Sequence, residues 1–477
     1  MASTFFGHPR GLATLFFTEM WERFGFYGMR ALLILFMVAP ASTGGLALST
    51  AESGMIYGLF TAMVYLISLP GGWLADNILG QRKAVLYGGI LIAAGYYAMV
   101  LRGLAPFYIA LTLVALGTGL LKPNVSTIVG GLYHENDHRR DAGFSIFYMG
   151  INVGALISPL ACGTVAKLTN WHYGFGLAGL GMTLGLIRFV LGQKHLQDAG
   201  LPPPPNQVAR RRAWSGAAII VGLFAMVMGL STASLIHVSP VGLSNALGFF
   251  LTLVVIGVFG WLLLDKRWTS MERKRLGAIL VLFVASALFW SVFEQAGSTL
   301  SLFADRNTRL SILGRAFPAA YFQSVNSLFL VLLAPVFAAL WVTLGPREPP
   351  TTIKFSFGLL FVGLGFAVLI PVANGNAVSP VWLVLTYFLH TVGELSLSPV
   401  GLSAMTKLAP QRIAAMIMGV WFLSISVGEW IGGRIASLYE QFPLAAIFGV
   451  VAGFSIVCAA LLTLFAKPMK RLSGGVN

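Results

Sequence analysis

Charge is scarce in this chain. Asp, Glu, Lys and Arg together make up 10% of 477 residues, against 57% hydrophobic residues and a mean hydropathy of +0.82. A soluble protein of this length could not cover its surface with so few charges, so a soluble globular class is excluded and a polytopic membrane protein remains. Cysteine is scarcer still. Cys162 and Cys458 are the only two. Both lie in apolar runs, which excludes a disulfide framework and a Cys/His metal site and reads them as buried small hydrophobes. The chain also lacks the GxSxG, HExxH and GxxxxGK[ST] spacings of a nucleophile elbow, a zinc protease and a phosphate loop. No enzyme, metal or cofactor is expected. Without a nucleotide motif, the energy for any work must come from an ion gradient or from the substrate itself.

What the chain has in abundance is long apolar runs. They are about 20 residues long rather than alternating segments of about ten, so they read as helices and not as barrel strands. Fourteen candidate helices centre near positions 25, 63, 92, 117, 155, 181, 223, 253, 286, 330, 362, 392, 424 and 454. Of the 31 Lys and Arg residues, 21 fall in loops on the side of both termini and five on the other side. That asymmetry puts both termini in the cytoplasm, which needs an even number of spans. It also explains the net charge of +15 by topology and excludes a nucleic-acid partner. The first helix is expected to act as its own insertion signal, with no cleavable leader. The spacing predicts six helices, two, then six: an N-terminal bundle over 1–194, basic linkers with two inserted helices over 195–272, and a C-terminal bundle over 273–477. Two six-helix halves about a central cavity are a common transporter plan, with the site near the midplane.

The first helix breaks the apolar rule. In "FFTEMWERFGFYGMRALLILF" (16–36), Glu19, Glu22, Arg23, Phe26, Tyr27 and Arg30 share an arc of about 140° at 100° per residue. A charge at mid-bilayer costs at least about 2.5–3.5 kcal/mol, so such residues point to function. Other spans add Lys122 in "GTGLLKPNVST", where Pro123 biases Lys122 away from helix geometry. Tyr65 lies on the second helix, and Tyr148 and Asn152 stand at i,i+4 on the fifth. Trp290 and Glu294 repeat that spacing, Asn326 follows, and a later helix carries Glu394, Ser398 and Pro399. Trp421 and Glu429 share another helix, where Glu429 reads as structural. As chemistry this is a site for a zwitterion. Arg23, Tyr27 and Lys122 can hold a carboxylate, and Glu394 with nearby amides can hold an ammonium. The aromatic residues can wall a pocket. Glu19, Glu22 or Glu294 can carry protons.

Several stretches then resemble one family. "ExxERF…YG" at Glu19–Gly28, "GGWLADNILGQRK" (71–83), "FSIFYMGINVGALISP" (144–159), "FWSVFEQ" and "GELSLSPVGLS" resemble, in order, motifs of the proton-dependent oligopeptide transporters of the major facilitator superfamily. The resemblance implies an all-α major facilitator fold of 14 transmembrane helices (6+2+6) in the bacterial inner membrane. It implies proton-coupled symport of di- and tripeptides into the cell. The alternative keeps the fold and changes the cargo to a drug, nitrate or amino acid. It also implies residue roles. Arg23, Tyr27 and Lys122 would hold the peptide carboxylate, and Asn152, Asn326 and Glu394 its amino end. Tyr65, Tyr148, Trp290, Ser398 and Trp421 would line pockets. Glu19, Glu22, Arg23, Lys122 and Glu294 would couple protons, and Arg30 with Glu294 would form a gate pair. The partners are then peptides, protons and the lipid bilayer, and the chain is expected to be a monomer. Two positions depart from the family pattern: Phe26 stands where a tyrosine is usual, and Gly58 stands where mammalian members have a histidine.

Overall fold

The computed structural model describes residues 5–134, 137, 139–204, 207–208, 210–216, 218, 222, 226, 239–312 and 314–473. Its helices run, in chain order, α1 (Arg10–Val38), α2 (Thr50–Leu74), α3 (Gln81–Ala98), α4 (Leu104–Gly131), α5 (Arg140–Leu168), α6 (Trp171–Gly192), α7 (Pro240–Leu264), α8 (Ser270–Phe293), α9 (Thr299–Asn307), α10 (Gln323–Leu344), α11 (Thr351–Leu369), α12 (Val381–Leu408), α13 (Ala414–Ala436), α14 (Leu444–Leu464) and α15 (Ala466–Leu472). Thirteen of the fourteen expected centres fall inside these helices. The helix expected near 223 lies outside the described residues. Two short helices, α9 and α15, and the antiparallel pair Ser311–Ile312 with Arg315–Ala316 were not anticipated.

Among the described residues, eleven helical segments are long and apolar enough to cross a membrane. They make the chain an all-helical polytopic membrane protein, the class in which every backbone group is satisfied within its own segment. α1 is not among the eleven because it carries five ionisable residues, Arg10, Glu19, Glu22, Arg23 and Arg30. It is nevertheless buried on nearly every side, with Leu32, Leu33, Ile34 and Met37 all at 0–1% exposure. α7 is the opposite case: Phe249, Ile256 and Leu264 project outward at 64–79% exposure, as expected of a helix that faces lipid.

Proline does not end the helices it occupies. Pro70, Pro123, Pro159, Pro335 and Pro399 all sit inside continuous helix. Lys122 therefore stays in α4, and the expected bias from Pro123 is overridden by the surrounding packing. The main interruption comes elsewhere. α8 stops at Phe293, Glu294–Gly297 form a 3-10 turn, and Ser298 leaves helical geometry (φ −127°, ψ −87°) before α9 begins. Further back, Thr269 and Glu272 form a reciprocal capping box that starts α8.

The chain folds into two compact units. One comprises Met1–Phe26, Leu66–Ala155 and Phe175–Asn245, and the other Tyr27–Tyr65, Leu156–Gly174 and Ala246–Asn477.

Candidate functional site

In the first unit the buried charges sit on the first half of α1. Glu19, Glu22 and Arg23 are 3%, 0% and 3% exposed. Small residues on the neighbouring helices let α1 come this close. A side chain at Gly154 of α5 would collide with the carbonyl of Met20, and its Cβ would lie 3.2 Å from Arg23 Cβ. The guanidinium serves both acids. Arg23 Nε lies 3.3 Å from Glu19 Oε1 and donates to Glu22 Oε2. The other oxygens, Glu19 Oε2 and Glu22 Oε1, are buried and accept no hydrogen bond from the described residues. An unsatisfied carboxylate oxygen away from water is costly, and a proton placed there removes the charge that makes it so. The Arg23 guanidinium also lies 5.2 Å over the Phe26 ring. Lys122, part-buried on α4, adds its positive field to Glu19. Asn152 is buried and Tyr148 half-exposed, and Asn152 Nδ2 donates to the Tyr148 carbonyl at 2.9 Å within α5.

The second unit holds the other half of the residues singled out in the sequence. Arg30, on α1, is 7% exposed and donates through Nη2 to Glu294, itself 5% exposed. Glu294 reaches it from the 3-10 turn that interrupts the chain after α8. Arg30 Nε donates to the Tyr57 hydroxyl at 2.6 Å, and its guanidinium lies 5.9 Å from the Tyr27 ring. Gly297 closes over this cluster: a Cβ there would meet the Tyr57 hydroxyl and come within 2.8 Å of Arg30 Nε. Farther along, α10 and α12 bring together Asn326 and Glu394. Asn326 Nδ2 donates to Glu394 Oε2 and to Thr391 Oγ1, at 3.0 Å each. The amide therefore orients a part-buried carboxylate while one of its oxygens remains for a cation.

The aromatic candidates differ in setting. Trp290 is buried edge-on against Phe289 and Phe293. Trp421 is 3% exposed and packs against Phe355 and the backbone at Gly401. Tyr65 and Ser398 are part-buried on α2 and α12. Arg23, Lys122, Asn152 and Tyr148 belong to the first unit, and Tyr27, Tyr65, Asn326 and Glu394 to the second. The amide of Gln323 donates to the Ala296 carbonyl and to Ser301 Oγ at 2.8 Å. Sequence reasoning did not single out Tyr57 or Thr391. Neutral residues in a helix give little warning. The one available signal was Tyr57 lying two turns before Tyr65, on the same side of α2. No group of three or more His, Cys, Asp and Glu side chains suited to a metal occurs among the described residues.

Known proteins share both sequence and architecture with the chain. A profile described as POT family matches residues 82–452. The peptide transporter YePEPT of Yersinia enterocolitica is 40% identical, with 98% of this chain and 96% of that protein covered. A di-/tripeptide transporter of Lactococcus lactis is 38% identical, with 99% and 98% covered. The crystal structure of a peptide transporter POT in complex with sulfate superposes with a TM-score of 0.93 at 44% identity, covering 99% of this chain and 97% of that one.

Proposed function

The chain belongs to the POT family, and from that premise we propose that it is a proton-coupled symporter bringing di- and tripeptides into the cell by alternating access. Its place is the bacterial cytoplasmic membrane, and it acts there as a monomer. The proposed topology has 14 transmembrane helices with both termini cytoplasmic. Bundles over 1–194 and 273–477 move against each other, and 195–272 supplies the inserted pair.

One observation carries the reading: two buried carboxylates, Glu19 and Glu22, share one guanidinium, and each keeps an oxygen with no donor among the described residues. A structural ion pair needs one acid and one base. A second acid with a spare oxygen supports proton exchange, because a proton can bind that oxygen without dismantling the pair. Arg23 and Lys122 take part in that exchange by setting the charge that the protons balance. Arg23, Lys122 and Tyr27 are assigned the peptide carboxylate. Glu394, oriented by Asn326, is assigned the amino end together with Asn152. Tyr65, Tyr148, Trp290, Ser398 and Trp421 are assigned the walls around peptide side chains. Arg30 and Glu294 are the gate: they pair in the closed arrangement, and protonation of Glu294 weakens them.

The test is dialanine uptake into proteoliposomes under an imposed inward proton gradient and membrane potential. Accumulation that collapses on adding a protonophore is the expected result. No dialanine flux from folded protein would overturn the peptide assignment.

A further inference from the structure

Arg30 has more than one acid near it. Glu429 lies on α13, the helix from Ala414 to Ala436, and is 3% exposed. Its position is set by close backbone contacts on two sides. Toward α2, a Cβ on Gly58 would come within 2.6 Å of Gly433 Cα and 3.1 Å of the Glu429 carbonyl oxygen, and Ser426 Oγ donates to the Ala62 carbonyl at 2.8 Å. Toward α8, a Cβ on Gly428 would lie 2.7 Å from Trp290 Cβ, and one on Gly432 would lie 3.1 Å from the Ser291 carbonyl oxygen. Glu429 thus sits where α2, α8 and α13 meet. It is next to the helix that carries Tyr57 and one turn from the segment that carries Glu294. Its charge acts on Arg30, Tyr57 and Tyr65.

The groups facing this junction can be named element by element. α1 supplies Arg30 and Tyr27, α2 supplies Tyr57 and Tyr65, and the turn after α8 supplies Glu294. α12 supplies Tyr387 and, farther off, Glu394. Arg434 of α13 stands about 140° around that helix from Glu429 and stacks 5.4 Å over Trp430. Arg30 pairs with Glu294, and Glu429 is a second buried acid at the junction around it.

We propose that Glu429 is a second counter-ion of Arg30, a positioning residue that keeps this cation balanced when Glu294 takes up a proton. This rests on the gate reading of Arg30 and Glu294. With Glu294 as the sole acid, its protonation would strand a buried guanidinium, and the low-dielectric surroundings would oppose the step. With Glu429 ionised, one proton added to a Glu294 oxygen leaves one cation facing one anion. Without Glu429 the same proton would leave the buried guanidinium with no counter-charge. Glu429 sets the pH at which the gate responds and does not itself touch peptide.

The experiment uses the full chain in proteoliposomes, with uptake and counterflow of dialanine recorded against pH for Glu429→Gln, Glu429→Asp, Glu294→Gln and the double Gln variant. Melting in detergent is followed alongside. Removing the Glu429 charge should shift the pH profile of driven uptake toward acid by about one unit, a tenfold change in proton concentration. Glu429→Asp should keep the wild-type profile. Glu294→Gln should retain counterflow, because Glu429 still balances Arg30, and the double variant should lose it. If Glu429→Gln fails to fold, Glu429→Asn is the second neutral variant and the same shift is expected. An unmoved profile in a folded neutral variant overturns the proposal, as does a double variant no worse than Glu294→Gln. Equal loss of melting temperature in the Gln and Asp variants without a pH shift marks a packing role and overturns it too. If Glu294→Gln alone leaves the profile and accumulation unchanged, the gate reading itself has failed, whatever Glu429 does.

Discussion

Glu22 is the residue through which coupling is most directly tested. It is fully buried, one oxygen is held by Arg23, and the other accepts no hydrogen bond from the described residues. Glu22→Gln keeps the shape and the bond to Arg23 but cannot release a proton. Accumulation of dialanine against a gradient should be lost, while counterflow exchange stays within a few-fold of wild type. Normal accumulation in that variant would remove Glu22 from the coupling. Tyr57 offers a second test at this scale. Its hydroxyl accepts from the buried Arg30 guanidinium, and a hydrogen bond to a charged group is worth about 1.5–3 kcal/mol. Tyr57→Phe should lower stability by that order in a denaturation series, and an unchanged midpoint would show that the bond contributes nothing. The two residues also mark what can be read from a sequence. A carboxylate in an apolar run announces itself, because it costs insertion energy. A tyrosine or threonine in the same run costs little, so Tyr57 and Thr391 become visible only through the partners they meet.

Helices in this protein meet where side chains are missing. α2 and α13 touch at Gly58 and Gly433, where either Cβ would approach the other backbone to about 2.6 Å or less. Gly433→Val should push the helices apart and cost about 1–3 kcal/mol by overpacking, read as a lower melting temperature in detergent; no change would mean the contact is loose. Beyond the helix ends a second junction forms. Thr50 at the start of α2 donates to Glu440 Oε1 at 2.5 Å, and Arg306 at the end of α9 donates to the same oxygen at 2.6 Å. The Thr50 hydroxyl and the Arg306 guanidinium hold the Glu440 carboxyl below the usual glutamate range. A depressed folded-state value means the contribution is full above the unfolded value of about 4.3 and is lost as pH falls through the lower folded value. The melting-temperature gap between wild type and Glu440→Gln should therefore be constant near neutrality and shrink only below about pH 4.3. A gap that closes at pH 6 would assign it to another group. None of this junction was legible beforehand, since loop residues far apart in sequence carry no periodicity to join them. The break after α8 escaped for a related reason: "FWSVFEQAGS" has no proline, and the departure from helix depends on the packing of Gly297 against Tyr57 and Arg30.

Across the whole molecule, hydropathy is the strongest signal, and it located thirteen helices to within the bounds observed. The charged first helix was found by the same signal run in reverse. What hydropathy does not carry is the grouping of helices. The compact units divide α1 after Phe26, α2 after Tyr65 and α5 after Ala155. Orientation rests on a further signal, the placement of 21 basic residues on one side and five on the other. It can be tested without reference to transport. The two natural cysteines, Cys162 (buried) and Cys458 (part-buried), are first replaced by alanine. Single cysteines at Arg139, Lys266 and Lys407 should then react with a membrane-impermeant maleimide only in inside-out vesicles. Cysteines at Leu101, Leu168 and Arg315 should react only in intact cells. These six positions sample six different loops or helix ends, so one with the wrong sidedness would relocate a single span, and a mixed pattern would change their number. If every position were reversed, the basic surplus would face outward, and the inward direction of uptake proposed for this chain would have to be reversed with it.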